Sequence, residues 1–199
     1  MDFTAIDFET ASSRYTSICS MGICVVKSGL ITERREFLIK PVPFEFTDFN
    51  IKIHGITPEA VMYKPTFDKY WPVIRPYLEG GTVIAHNTAF DITALCATLD
   101  YFGIEYPTCR CLCTVKLSRK AYPELESHRL NRLCEELGIS FSHHHAYDDA
   151  YACAMVLNRI LDENGLADLS GIYERFGVAS ERLYPGRRTK TLKKVKKSL

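Results

Sequence analysis

Apolar and β-branched residues occur in three short runs within the first forty residues. The runs cover residues 3–10, 18–26 and 30–40, and the dipeptide Ser28–Gly29 separates the second run from the third. Runs of this length and composition are typical of β-strands, and a Ser-Gly pair between two of them is a candidate two-residue turn. The pattern therefore predicts three consecutive strands that form an antiparallel meander.

After residue 40, apolar residues at helical spacing alternate with short apolar runs. The spacing predicts helices that begin near Thr66, His86, Leu130 and Asp149, and the short runs predict strands over 82–85 and 110–113. Residues 53–60 are expected to form a loop that leads into a short helix. A meander followed by alternating strands and helices predicts an α/β fold, with a mixed five-stranded sheet flanked by helices.

The composition is that of an ordinary globular protein, with 46% hydrophobic and 25% charged residues. No run of about 18 apolar residues is present, so a membrane span is not expected. The N-terminus has no apolar signal region, and most of the eight cysteines lie within apolar segments. These features predict buried, reduced thiols and a cytoplasmic protein without membrane association.

The charges are distributed unevenly along the chain. The formal net charge is +1, yet eight of the 25 Lys and Arg residues and none of the 24 acidic residues lie from Arg182 onward. The preceding 181 residues therefore carry a net charge of −7. We divide the chain into a main domain over 1–164 and an extension over 165–199 with a basic, flexible tail. Such a tail is either an arm that binds nucleic acid or a solvated end.

Acidic residues lie at the ends of the predicted strands and at the starts of the predicted helices. Asp7 and Glu9 are two apart and leave one face of the first strand, while Asp91 and Asp149 begin two helices. Convergence of these acids would require cations, and two divalent ions about 3.5–4 Å apart can activate water against a phosphodiester. A histidine within His143–His145 could accept the proton.

Three ordered stretches resemble the motifs of the DEDD-type 3′→5′ exonucleases, in their histidine subclass. They are Asp7–Thr10, His86–Asp91 and His144–Ala150, and two further stretches, Ile53–Thr57 and Leu130–Leu133, are also similar to this family. The pattern is similar to that of the proofreading epsilon subunit of bacterial DNA polymerase III. The resemblance covers roughly residues 3–161 and implies a ribonuclease H-like fold.

The resemblance also implies roles for individual residues. Two Mg²⁺ ions, for which Mn²⁺ would substitute, would be held by Asp7, Glu9, Asp91 and Asp149. The spacing to Ala146 and Asp149 selects His144 as the general base. The neighbouring Asp148 is the alternative to Asp149, because adjacent helical residues point about 100° apart and only one can face the cluster.

The resemblance further implies a substrate and its contacts. Thr10, Ile53, His54 and Phe90 fall where family members hold the terminal nucleotide. The expected substrate is the 3′ end of single-stranded or frayed DNA, which would be degraded to 5′-mononucleotides, and a DNA polymerase is a candidate partner in replication or repair. Two alternatives are a 3′→5′ exoribonuclease of the same fold and a non-catalytic module that binds nucleic acid.

A cysteine-rich segment offers a different metal site. Cys109, Cys111 and Cys113 alternate, so that on a strand all three thiols would share one face. Zinc sites, however, favour Cys-x-x-Cys spacing. Buried thiols are therefore the expected state, and structural zinc is the alternative.

Overall fold

The computed structural model describes residues 1–186, and the predicted basic tail lies outside the described residues from 187 onward. The strands are β1 (Phe3–Thr10), β2 (Ile18–Lys27), β3 (Leu30–Leu38), β4 (Thr82–Ala85), β5 (Cys109–Cys113) and β6 (Glu181–Leu183). The helices are α1 (Asp48–His54), α2 (Pro58–Val61), α3 (Phe67–Leu78), α4 (Thr88–Phe102), α5 (Thr114–Ala121), α6 (Leu130–Leu137), α7 (Ala146–Glu163) and α8 (Ile172–Phe176).

The strands form one mixed sheet in the order β3-β2-β1-β4-β5-β6. The first three strands are the predicted antiparallel meander, with Ser28 and Gly29 in the turn between β2 and β3. Strands β1, β4 and β5 are parallel, because the helices between them return the chain to the same edge of the sheet. The mixed α/β sheet predicted from the sequence is confirmed.

The sheet has six strands, one more than predicted. The additional strand, β6, is antiparallel to β5 and pairs Leu183 with Cys109. It is only three residues long and lies within the extension over 165–199. A run this short has no periodicity from which a strand could be recognised, and its pairing depends on the exposed edge of β5.

Side chains of β1 alternate between two cores, one on each face of the sheet. Ile6 and Phe8 pack with α3 and α4, whereas Phe3 and Ala5 pack with α5, α6 and α7. The period of two along a strand produces this division. Since the helices cover both faces, the acids that follow Ala5 on the same face must emerge beside α7.

Residues 53 and 54, predicted to lie in a loop, are instead the end of helix α1. The Thr47 side chain accepts a hydrogen bond from the Asn50 amide, and Gly55 ends the helix with a left-handed φ of 73°. Threonine at the N-cap and glycine after the last turn are the usual helix boundaries. The helix has only seven residues, which is too short for hydrophobic spacing to identify it.

The cysteines are buried, as the sequence predicts. None of the eight, all of which lie within residues 1–186, forms a disulfide bond. Within residues 1–186, no helix is both long and apolar enough to cross a membrane.

Candidate active site

Strand β1 delivers two carboxylates to the face of the sheet that α7 covers. Asp7 and Glu9 continue the alternation of Phe3 and Ala5, so they leave the strand on the same side. Asp7 lies opposite Gly22 in the β1–β2 register. Both acids are only partly exposed, so they are removed from bulk water at the end of an otherwise apolar strand.

Helix α7 adds a third carboxylate to this pair. Within residues 1–186, Asp7, Glu9 and Asp149 are the one group of three possible metal ligands whose donor atoms all lie within 4.8 Å of one another. The adjacent Asp148 points elsewhere, and its Oδ1 lies 2.7 Å from Arg34 Nη2. Of the two neighbouring acids, the structure therefore places Asp149 beside Asp7 and Glu9 and Asp148 beside Arg34.

Asp91 joins the cluster through the backbone of β1. The β1–β4 ladder ends at the pair Ala5 and Ile84. Further along β1, between Asp7 and Glu9, the backbone amide of Phe8 donates a hydrogen bond to Asp91 Oδ1 over 3.2 Å. The hydrogen bond fixes Asp91, which is 2% exposed, beside the group of three without making it part of that group.

The histidine segment before α7 contacts Asp149 in two ways. The His144 backbone amide donates to Asp149 Oδ2 over 3.0 Å, while the His143 ring donates from Nδ1 to Oδ1 over 2.8 Å. The two rings stack, with centroids 3.8 Å apart. His144 is exposed at the cleft and has a φ of 67°, a strained conformation that is concentrated at functional sites.

His143 is a contact that the sequence argument did not single out. Its spacing matches no motif position, so only its place among three consecutive histidines pointed to it. In the structure it supports Asp149 directly, whereas the predicted base, His144, leaves its ring available to the cleft.

Burial and mutual repulsion make the acid cluster electrostatically unfavourable. Burial, together with the charges of Asp149 and Asp91, raises the pKa of Glu9 to about 8. Burial likewise raises the pKa of Asp91 to about 8 and that of Asp7 well above its usual value. The free-energy cost of ionising these buried carboxylates can be offset by bound cations, which replace the lost hydration.

The four predicted substrate contacts occupy different environments. His54 is 4% exposed, accepts a hydrogen bond from the Ile56 amide at Nδ1 and lies 3.2 Å from the Thr10 carbonyl oxygen at Nε2. Because a carbonyl only accepts, Nε2 carries the proton, and the ring has no nitrogen left for substrate. His54 therefore fixes the end of β1. Ile53 on the same helix is 37% exposed.

Phe90 and Thr10 complete that set. Phe90 lines the cleft at the start of α4 and packs against Tyr15, with ring centroids 5.9 Å apart. Thr10 is buried, and its carbonyl oxygen accepts from the Asn50 side chain over 2.8 Å. Both residues border the acids, but only Phe90 lines the cleft.

The four acids lie in a cleft of about 820 Å³ between β1, α4, α5 and α6. Arg119 and Arg129 line this cleft together with Glu126, and neither arginine forms an ion pair with any residue within 1–186. Behind them, His86 donates from Nε2 to the carbonyl oxygen of His128 over 2.8 Å. The cleft thus combines an acidic cluster with two unpaired cations.

The cysteine-rich segment does not form a comparable metal site. Cys109 and Cys111 have sulfur atoms 3.9 Å apart, but no third possible ligand joins them within the part of the chain that the structure describes. The hydrogen bond with the neighbouring Cys109 thiol, together with burial, raises the pKa of Cys111, which favours the neutral form. The structure therefore supports the expectation of buried thiols.

A family model for exonucleases, RNase_T, matches residues 4–157 of this chain. The chain belongs to this exonuclease family. The family assignment confirms the resemblance that the three acidic motifs predicted, and it makes the chain a member of a family of nucleases. The role of each side chain in the cleft stays a prediction.

Curated relatives of this chain agree with the family assignment. The chain is 29% identical over 187 residues to the PolC-type DNA polymerase III of Clostridium perfringens (strain 13 / Type A), covering 88% of this chain and 12% of the relative. It is 30% identical over 165 residues to the 3′-5′ exonuclease DinG of Bacillus subtilis (strain 168), and the match covers 81% of this chain and 18% of that relative. The chain thus spans less than a fifth of these curated relatives.

Solved structures share the fold of this chain. The nuclease domain of 3′hExo, a DEDDh family member bound to rAMP, aligns with a TM-score of 0.74 and 17% identity, covering 92% of this chain and 97% of that domain. At this identity the likeness establishes the architecture, which confirms the ribonuclease H-like fold class.

Proposed function

We propose that this chain is a metal-dependent 3′→5′ exonuclease of the cytoplasm. It would hydrolyse the terminal phosphodiester of single-stranded or frayed DNA and release 5′-mononucleotides. Residues 1–164 would form the catalytic domain, and the extension would contribute β6 to its sheet.

The observation that carries this proposal is the meeting of acids from three distant segments in one cleft. Asp7 and Glu9 come from β1, Asp91 from α4 and Asp149 from α7, and all four line the cleft beside His144. Their raised pKa values indicate that folding has brought them together at an electrostatic cost. Clusters of this kind are concentrated at functional sites.

The donor set fits hard divalent cations. Carboxylate oxygens are the ligands that Mg²⁺ and Mn²⁺ prefer, and the group of three donors within 4.8 Å could surround one ion. Asp91, placed beside that group by the Phe8 amide, would share in holding a second ion. When bound, such ions supply positive charge at the phosphodiester and lower the pKa of an attacking water.

The remaining steps belong to the side chains of the chain itself. His144 would take a proton from the attacking water, because its ring is exposed at the cleft and its pKa is lowered by partial burial and by His143. Both oxygens of Asp149 are fixed by hydrogen bonds from the histidine segment. These hydrogen bonds keep His144 and Asp149 next to each other in the cleft.

The size and charge of the cleft favour a nucleic-acid end as its occupant. A volume of about 820 Å³ is at the upper end of the range for small-ligand sites and admits a nucleotide. Arg119 and Arg129, which have no ion-pair partner within residues 1–186, could bind backbone phosphates. The ring of Phe90 could stack on a nucleotide base. A single strand suits this site because its terminal base is free to enter.

Three similar proteins bear on the choice between DNA and RNA. The similarity to a PolC-type DNA polymerase III favours DNA, and the similarity to the 3′-5′ exonuclease DinG favours this polarity. The 3′hExo domain was solved with rAMP, which keeps an exoribonuclease as the second candidate. We also propose a DNA polymerase as partner, since the PolC-type relative contains a segment similar to this chain.

A degradation ladder tests the proposal. DNA and RNA oligonucleotides, each labelled at the 3′ or the 5′ end, are incubated with Mg²⁺ and the wild-type chain. We expect 5′-labelled single-stranded DNA to shorten stepwise, and 3′-labelled DNA to release its label at once as a mononucleotide. Faster loss of RNA would instead support the exoribonuclease.

The variant His144→Ala is compared with the control His145→Ala. His145 is the next residue and is exposed like His144. Only the first replacement should suppress the ladder. The absence of any ladder with Mg²⁺ and with Mn²⁺, on both kinds of oligonucleotide, would overturn the proposal and favour the non-catalytic module.

A further inference from the structure

Arg34 reaches from β3 to the first turn of α7. Its Nη2 donates to Asp148 Oδ1 over 2.7 Å and to the Tyr147 carbonyl oxygen over 3.4 Å. Both partners directly precede Asp149 in the chain. An edge strand that carries none of the four acids is thereby bonded to the turn that presents one of them.

The guanidinium group of Arg34 also lies against two aromatic rings of α7. Its central carbon is 3.9 Å from the centroid of the Tyr147 ring and 4.3 Å from that of Tyr151. These tyrosines are four residues apart, so they stand one above the other on the same side of the helix. A planar guanidinium can stack on both rings while it donates to Asp148, which an ammonium group cannot do.

The position of this contact matters because the first turn of α7 carries Asp149, whose carboxylate lies next to the carboxylates of β1. Donor oxygens of Asp149, Asp7 and Glu9 lie within 4.8 Å of one another, and in their ionised forms these like charges would push the start of α7 away from β1. Within residues 1–186, Arg34 is the only lysine or arginine that forms an ion pair with the first turn of α7. It is therefore the cation placed to oppose that repulsion.

The contact is not optimised for stability alone. The side chains of the pair are only 25% and 27% exposed, and Arg34 Nε is buried without a hydrogen-bond partner. A buried donor that lacks a partner lowers stability, and buried ion pairs are often neutral overall. Such a pair is better explained by the specific geometry that it imposes on the helix.

We propose that Arg34 is a positioning residue, which acts through Asp148 and the two tyrosines to hold the Asp149 carboxylate where it binds a divalent cation. This inference deepens the proposed function and rests on its metal site. It assigns no contact between Arg34 and the substrate.

The experiment measures Mn²⁺ binding to the full chain by calorimetry, without nucleic acid. Arg34→Met keeps an unbranched side chain in place of the aliphatic part of the arginine but removes its charge and planar group. We expect it to weaken Mn²⁺ binding roughly tenfold, the smaller end of the effect of outer supporting groups at metal sites. An unchanged dissociation constant in folded Arg34→Met would overturn the proposal.

Arg35→Met is the matched control for a lost arginine. Arg35 is the next residue of β3, and its one ion pair within residues 1–186 is the exposed pair with Glu33. Its replacement should change Mn²⁺ binding by less than about twofold, as expected for an exposed pair. An equal loss in both variants would show a general charge effect and would overturn the assignment to Arg34.

Val156→Ala is the control for reduced stability. Val156 is fully buried on the same helix, two turns beyond Asp149. It should lower the unfolding temperature without weakening Mn²⁺ binding as Arg34→Met does. If the two variants lose stability and Mn²⁺ affinity in the same proportion, Arg34 contributes only to folding, and the proposal fails.

A double-mutant cycle with Asp148→Asn tests the route of the effect. If Arg34 acts through Asp148, the double variant should bind Mn²⁺ about as weakly as Arg34→Met alone. Fully additive losses would overturn this route. A wild-type chain that binds Mn²⁺ but degrades no oligonucleotide would contradict the proposed function while leaving this inference open to the same measurements.

Discussion

The backbone of Gly22 lies directly against the carbonyl oxygen of Ala146. A Cβ atom placed on Gly22 would come 1.8 Å from that oxygen, a separation that no pair of such atoms can adopt. Gly22 is opposite Asp7 in the sheet, and Ala146 begins the helix that carries Asp149. The missing side chain therefore allows α7 to approach β2 closely enough for the two carboxylates to meet.

Replacement of this glycine should disturb both stability and activity. In Gly22→Ala the added methyl group forces α7 away from the sheet, and we expect the free energy of unfolding to fall by about 1–3 kcal/mol. A displacement of about 1 Å at Asp149 would lower kcat roughly a hundredfold. Thermal unfolding and the rate of mononucleotide release check the two effects.

Gly81→Ala is the control for that variant. No atom lies within 4 Å of a Cβ built on Gly81, and this residue does not have a left-handed φ. Its stability and activity should therefore match the wild type. Normal activity in Gly22→Ala would contradict the idea that close packing sets the distance between the acids.

The metal-free protein should lose stability as the pH rises. The pKa values of Glu9 and Asp91 are raised to about 8 in the folded chain, mainly by burial. Between about pH 4.5 and 8 these groups hold protons that the unfolded chain has released, so the free energy of unfolding falls across that range. We expect a lower unfolding temperature at about pH 8 than at about pH 5, and Mg²⁺ should reverse the difference.

Asp7→Asn isolates the contribution of the acid cluster to this pH dependence. Burial and the charge of Asp91 raise the pKa of Asp7, so a neutral amide at this position relieves repulsion. The metal-free variant should unfold several degrees higher than the wild type at about pH 8, since about 1 kcal/mol corresponds to roughly 2–4 °C in a chain of this size. It should show no hydrolysis, and undiminished turnover would defeat the assignment of Asp7.

The pH dependence of the rate should report His144. Partial burial and the charge of His143 lower the pKa of His144 from its usual value of 6.5. A general base acts only when it is unprotonated, so kcat/KM should stay constant above that value and fall as the pH drops through the lowered pKa.

His144→Ala should remove this acid limb and reduce kcat about 10²- to 10⁴-fold, the usual contribution of a general base. His145→Ala should change the rate by less than about threefold, as expected for an exposed position. An acid limb that persists unchanged in His144→Ala would assign the base to another group.

The salt dependence of substrate binding should show whether Arg119 contacts a backbone phosphate. This residue lines the cleft without an ion pair, so a backbone phosphate could take the place of the absent partner. Arg119→Ala should weaken binding of a single-stranded oligonucleotide and reduce the slope of log K against log salt by about 0.7, the loss of one phosphate contact.

Arg159→Ala is the control for this variant, because Arg159 lies in the last turns of α7 and pairs with Glu163. It should leave both the affinity and the salt slope unchanged. An unchanged slope in Arg119→Ala would show that this arginine does not neutralise a phosphate.

The local pattern of the sequence determined the regular elements and much of the chemistry. Alternation along residues 3–9 predicted that Asp7 and Glu9 share a face, because the period of a strand is fixed by its backbone. Helical spacing predicted α3, α4 and α7, since these helices bury long apolar faces. The acidic motifs predicted the exonuclease family, which the family model confirmed.

Contacts between distant segments were decided only by the tertiary structure. Asp148 contacts Arg34, which is 114 residues away in the chain, and Asp91 accepts a hydrogen bond from the amide of Phe8. The strand β6 depends on the free edge of β5. A local pattern records the period of one element, but the distance between two carboxylates is set by how closely elements pack, and no single segment contains that information.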